Sequence, residues 1–401
     1  MIRTSEITRT GWLLLFALLF GIALMQTAHA QTFSVLYNFG AGTDGANPEA
    51  TLLRDKSGTL YGTTYYGGFG GNGTVFKLDT AGSETVLYRF AGPPTDGMSP
   101  NASLVMDGTG NLYGTTLDGG ALDYGTVFKL TPTGQETILH SFSDGTDGGS
   151  PQAGLLLAGG KLYGTTEVGG DASCINDGHG CGVVFEMTTK GKETVLYSFD
   201  GGTGNDDGDY PYGGVIRDSA GNLYGTTHYG GPGFGGIVFE LDAASGYTLN
   251  MLYGFSSGLD GGAPFAGVVR DKAGNLYGTF NAGTTSFGGV FIVDPAGTET
   301  VLYSFAGPPN DGDGPQAGLV RDAKGNLYGT TMGGGLYGVG TVFELSPSGG
   351  TWTERILHNF SGSDGAVPVG GLVRDSAGNL YGTTYEGGTY NAGVIFKIAP
   401  K

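Results

Sequence analysis

Short apolar runs alternate along the chain with polar, glycine-rich breaks, and four such runs recur as a set. Leu-Tyr-Gly-Thr places tyrosines at Tyr61, Tyr113, Tyr163, Tyr224, Tyr277, Tyr328 and Tyr381, at intervals of 50 to 61 residues. A small residue, a β-branched residue and a phenylalanine then follow, ending at Phe76, Phe128, Phe185, Phe239, Phe291, Phe343 and Phe396. A third run, typified by Glu84-Thr85-Val86-Leu87-Tyr88, ends at Phe39, Phe90, Phe142, Phe199, Phe255, Phe305 and Phe360. The fourth is Asp-Gly-x-x-Pro leading into a small apolar stretch such as Ala317-Gly318-Leu319-Val320. Runs of this length, rich in β-branched and aromatic residues and bounded by Gly, Asn and Asp, predict strands. Each unit therefore supplies four short strands.

The breaks fit antiparallel neighbours. Arg217-Asp218-Ser219-Ala220-Gly221-Asn222 sets Asp at a turn start and Gly three residues on, the composition of a tight β-turn. Asp55, Asp107, Asp271, Asp322 and Asp375 recur there, while the third unit substitutes Ala158-Gly159-Gly160. These carboxylates read as caps of the local backbone rather than as catalysts. Four-stranded units of about 50 residues, repeated seven times, predict an all-β, seven-bladed β-propeller of antiparallel blades. A β-solenoid is the architectural rival, but its shorter coils have no use for the regular Gly-Asn turn.

Composition supports the strands. Of 401 residues 82 are glycine and 16 proline, and glycine in a helix interior costs about 1 kcal/mol against alanine, so a helical bundle is excluded. With 22 Tyr, 22 Phe and only 14% charged residues, disorder is excluded too. The third run opens the repeats at Val35-Leu36-Tyr37 and the second closes them at Val394-Ile395-Phe396. If the Ala-Gly-Leu-Val strand lies innermost, the N-terminal strand becomes the outer edge of the last blade and closes the ring, removing a seam.

Residues 1–30 have the form of an export signal: Arg3 and Arg9, an uncharged run from Gly11 to Met25, and Ala28-His29-Ala30 before Gln31. The apolar run is shorter than the roughly 20 residues of a membrane span, and no cysteine follows it. Residues 31–401 then form one propeller domain with no membrane span, 17 Lys and Arg against 36 Asp and Glu. Such acidity excludes nucleic acid and anionic membranes as natural partners.

The combined signature, as in Gly325-Asn326-Leu327-Tyr328-Gly329-Thr330-Thr331 followed by Gly340-Thr341-Val342-Phe343, resembles the GloVer tandem-repeat family of exported bacterial proteins over residues 32–398. The resemblance implies export and, in many members, a C-terminal anchoring module, with no established reaction or ligand. This chain ends at Ala399-Pro400-Lys401, without a sorting tail, so a secreted or periplasmic protein is expected.

Selectivity should arise where the units differ. The position after the Thr pair reads Tyr65, Leu117, Glu167, His228, Asn281, Met332 and Tyr385, with Tyr66, Tyr229, Phe234, Phe287, Tyr337 and Tyr390 nearby. Loops on a rigid scaffold are the usual place for binding. Tyr65, Tyr66, His228, Tyr229, Tyr337, Tyr385 and Tyr390 are accordingly the candidate ligand-binding residues, for a saccharide or a peptide. The plain alternative is that the rings merely cover the blade tops. Cys174 and Cys181, the only cysteines, fall in this loop of the third unit, where a disulfide is expected of an exported protein; a metal site completed by His179 is the sharper alternative. The Asp-Gly steps at Asp44, Asp96, Asp147, Asp207, Asp260, Asp311 and Asp364 read as turn starts, with an acidic ring for Ca2+ as the alternative. The alternation Asn205, Asp207, Asp209 lacks the glycine and closing Glu of an EF-hand. Otherwise no cofactor is expected. No Gly-x-Ser-x-Gly, His-Glu-x-x-His or phosphate-loop motif occurs. Glu167 and His228 are the one candidate acid and base, for a polysaccharide lyase or hydrolase. The chain thus reads as a binding platform rather than an enzyme, with a purely structural envelope protein as the third reading.

Overall fold

The computed structural model describes residues 31–40, 42–171, 174, 179–201, 207–256, 258–283 and 286–400. The export signal expected at residues 1–30, and Asn205, lie outside them. Among the described residues seven four-stranded antiparallel sheets form the blades, two short pairings (Gly97–Met98 with Asp118–Gly119 and Gly312–Asp313 with Gly333–Gly334) lie in the loops, and the only helical element is a 3-10 turn at Ala243–Ser245. Blade 1 comprises Leu53–Arg54, Leu60–Thr64, Thr74–Leu78 and Glu84–Arg89. Blades 2 to 6 repeat this order over 105–141, 156–198, 216–254, 269–304 and 320–359. Blade 7 takes Val373–Arg374, Leu380–Thr384 and Val394–Ala399 from one end of the chain and Thr32–Asn38 from the other. Thr32 pairs with Ala399 and Asn38 with Val394, so the expected closure is present.

The innermost strands surround a central channel, lined from each blade by three consecutive residues such as Glu49-Ala50-Thr51 and Tyr212-Gly213-Gly214. Small residues are required here because neighbouring backbones nearly touch. A Cβ on Gly213 would lie 2.2 Å from the amide nitrogen of Gly267 in the next blade.

Blades are joined by contacts that recur at all seven junctions. The Leu-Tyr-Gly glycine lets the phenylalanine of the third strand lie flat across its own sheet: a Cβ at any of the seven would fall 2.4 to 2.7 Å from that ring's Cζ. The ring is then met by the phenylalanine ending the preceding blade's outermost strand, with centroids 5.1 to 5.5 Å apart from Phe39–Phe76 round to Phe360–Phe396. Six pairs are edge-to-face and Phe142–Phe185 is tilted, geometries favoured by ring quadrupoles. The hydrophobic core is accordingly divided into wedges between blades, as where Val75 and Phe90 meet Leu104, Leu112, Phe128 and Leu130. A polar joint runs parallel to it. The first threonine of each Thr pair, or its equivalent, donates its hydroxyl to an innermost-strand carbonyl of the next blade at 2.9 to 3.2 Å, from Thr63 to Ala102 round to Thr383 and Ala50.

The short turns cap themselves as expected. Asp107 Oδ1 accepts from the backbone N–H of Thr109 and Asn111, and Tyr113 donates to Oδ2. Those bonds hold the carboxyl well below the usual range despite its burial. An arginine of the next blade lies over the tyrosine ring at five junctions, Arg54 over Tyr381 among them, at 5.1 to 5.8 Å. Met106 and Leu157 stand at the other two.

Candidate functional site

Where the innermost strands begin, on the side of the long loops, seven side chains converge on a cavity of about 290 Å3: Glu49, Asn101, Gln152, Tyr212, Phe265, Gln316 and Val369. Each follows the proline of Asp-Gly-x-x-Pro. That proline packs on the positive-φ glycine opening the third strand of the preceding blade, where a Cβ on Gly73 would lie 2.5 Å from Pro100 Cδ. The strand start is thereby fixed at the axis while its next residue is left to vary.

A second ring, the residues after the Thr pairs, backs the first. Gln152 donates to Glu167 Oε2 at 2.8 Å and Tyr212 to Glu167 Oε1 at 3.2 Å, while Asn101 donates to Gln152 Oε1 at 2.8 Å. His228 is buried with Nδ1 3.3 Å from the Pro264 carbonyl, its ring 4.1 Å from Phe265 and 4.9 Å from Tyr212. Burial lowers its pKa, favouring neutral imidazole. Tyr212 and Phe265 are near-parallel at 5.5 Å. Glu167 and His228 thus flank Tyr212, each held by its own partners.

Across the ring Glu49 stands without a hydrogen bond or ion pair to any of the described residues, and burial pushes its carboxyl up to about 7. Tyr65 and Tyr66 meet at 4.6 Å and 74°, and Tyr65 and Tyr385 each feel the charge of Glu49. The sequence-derived candidates therefore form two groups: Tyr65, Tyr66 and Tyr385 with Glu49, and His228 and Tyr229 with Tyr212 and Phe265. Tyr337 and Tyr390 are 59% and 63% exposed on outer loop tips, as are Phe69 and Phe234 at 84% and 80%.

Cys174 and Cys181 are disulfide-bonded, with Cα atoms 5.7 Å apart, and His179 Nδ1 lies 2.7 Å from Asp144 Oδ2. Each Asp-Gly carboxylate meets a tyrosine or histidine of the preceding outermost strand, from Tyr37–Asp44 to His358–Asp364, at 2.8 to 3.1 Å. These seven aspartates stand outside the lining of the channel mouth. No helix among the described residues is long and apolar enough to cross a membrane.

The profile of the Gloeobacter/Verrucomicrobia repeat matches residues 20–176, 145–287 and 236–401. The chain belongs to that family. None of the curated proteins matches this repeat protein in sequence. Among solved structures it is similar to the extracellular domain of a protein described as a hybrid two-component system of B. thetaiotaomicron. That match has TM-score 0.53 and 13% identity and covers 92% of this chain and 41% of that one. It is also similar to puromycin hydrolase, with TM-score 0.54 and 14% identity, over 86% of this chain and 50% of that one. The repeat protein spans half or less of either neighbour, and at such identities the likeness is one of fold.

Proposed function

We propose that the channel mouth is a ligand-binding site and that the repeat protein is an exported recognition module for a saccharide. The convergence of seven residues of six kinds on one cavity carries this reading, since a scaffold role would need only one kind of side chain there. Tyr212 and Phe265 offer a stacking surface, and Asn101, Gln152 and Gln316 offer amide donors and acceptors for hydroxyl groups. Apolar faces with a few convergent polar groups are the usual make-up of small-molecule sites. The disulfide supports export, because such bonds persist in oxidising compartments. A glycan array followed by calorimetry tests the reading. Saturable binding weakened at least tenfold by Phe265→Ala upholds it, and the absence of any glycan ligand overturns it. Turnover of a bound glycan that is abolished by His228→Ala would replace it with the lyase or hydrolase reading.

A further inference from the structure

The mouth is polarised. Blades 4 and 5 contribute Tyr212 and Phe265, blade 1 on the far side contributes Glu49, and the amides Asn101, Gln152 and Gln316 stand between. None of the seven lining residues is cationic. The nearest cation in sequence, Arg54, is held over Tyr381 at 5.6 Å and lies 4.0 Å from Asp375. The cations at the four other arginine-bearing junctions are held over tyrosines in the same way. Glu49 is therefore a half-buried carboxylate with no counter-charge, which is costly to ionise unless a ligand brings one. Its neighbours suit that ligand. Tyr65 and Tyr66 stand nearly perpendicular with centroids 4.6 Å apart, and Tyr385 is close to both. Tyrosine rings near an unpaired carboxylate favour an ammonium group, which draws on ring faces and negative charge together.

We infer that the channel mouth recognises an amino sugar, its ring stacked on Tyr212 and Phe265 and its primary ammonium group at Glu49, with Tyr65 and Tyr385 as the neighbouring aromatic groups. This rests on the saccharide reading above and narrows it. The amides favour a sugar over a lysine side chain, because a methylene stem would leave the Asn101 Oδ1, buried without a partner among the described residues, and the Gln316 amide at the cavity unanswered.

Calorimetry of the whole protein at pH 7 with glucosamine tetramer, N-acetylglucosamine tetramer and a tetralysine peptide tests the inference. The expected result is that the glucosamine oligomer binds at least tenfold more tightly than its acetylated counterpart, and that Glu49→Gln removes the preference while Tm stays unchanged. Equal binding of the two sugars by the unaltered protein overturns the ammonium contact and leaves the saccharide reading standing. Tetralysine binding without either sugar overturns the saccharide source. If none of the three binds, the inference is overturned, and the glycan array decides the broader reading separately. Tyr385→Phe keeps the ring and should keep the preference, whereas Tyr385→Ala should reduce it severalfold; equal losses in both would overturn the cage.

Discussion

The two faces of the ring are built from the same seven units and treat them differently. On the short-turn face six of the seven copies repeat one chemistry, the third carrying Ala158-Gly159-Gly160 instead: an aspartate caps the turn, a tyrosine hydroxyl reaches it, and an arginine covers the tyrosine wherever one is present. On the long-loop face the Asp, Gly, Pro and Thr positions also serve the frame, but the residues after the proline and after the Thr pair differ in nearly every blade. Scaffold and selectivity are thus separated by position within one repeat. The loop residues that vary most usefully are those the frame carries to the axis, not those most exposed at the tips.

Removing the closure should break the comparison most severely, since both faces depend on an intact ring. Deleting residues 31–40 strips the outermost strand from blade 7 along with Phe39, and should lower Tm by roughly 10 °C or more in calorimetry; an unchanged melt would deny the strand its role. Within the frame, Phe239→Ala empties a fully buried site and should cost about 3–5 kcal/mol in denaturant unfolding. Gly329→Ala, whose Cβ would meet Phe343 Cζ at 2.6 Å, should cost about 1–3 kcal/mol through overpacking.

A pH effect should be gentler and belongs to the blade edges. Glu84, Glu136, Glu193, Glu299 and Glu354 each keep Oε1 buried without a partner among the described residues. Burial first, then a neighbouring Asp such as Asp44 or Asp96, raises them from 4.5 to about 7. The folded protein thus retains protons that the unfolded chain releases. This contribution is full below about pH 4.5 and is lost as pH rises through about 7. The capping Asp55, Asp107, Asp271, Asp322 and Asp375 are shifted downward and act oppositely, losing their contribution as pH falls below their ordinary value of 3.8. Tm should therefore peak in mildly acid solution and fall toward pH 8, and replacing the five glutamates by glutamine should flatten the alkaline side. A Tm that climbs steadily from pH 5 to 8 would contradict this. Smallest of all, Phe69→Ser at an exposed tip should change stability by no more than about 0.5 kcal/mol.

The ring, its closure and the innermost position of the small-residue strand were legible because each repeats, and repetition exposes the spacing. The residue after the proline was not. Glu49 or Gln152, taken alone, is one polar residue before a strand, and its importance comes from seven such starts meeting at one axis, a relation no local window contains. Radial distance was equally hidden: Tyr65 and Tyr390 occupy similar loops, yet the first stands beside Glu49 and the second on an outer tip. Tyr88 and Asp96 lie near in sequence, but a bulge between the third and outermost strands resets the register just before that tyrosine.

The pairing of Thr32–Asn38 with Val394–Ala399 bears on how the molecule comes apart. An open stack of repeats frays from its terminal units, whereas a closed circle has no terminal unit, and loosening any sector means parting it from two neighbours at once. The slowest-exchanging amides should therefore be spread evenly around all seven sectors instead of gathering midway along the chain.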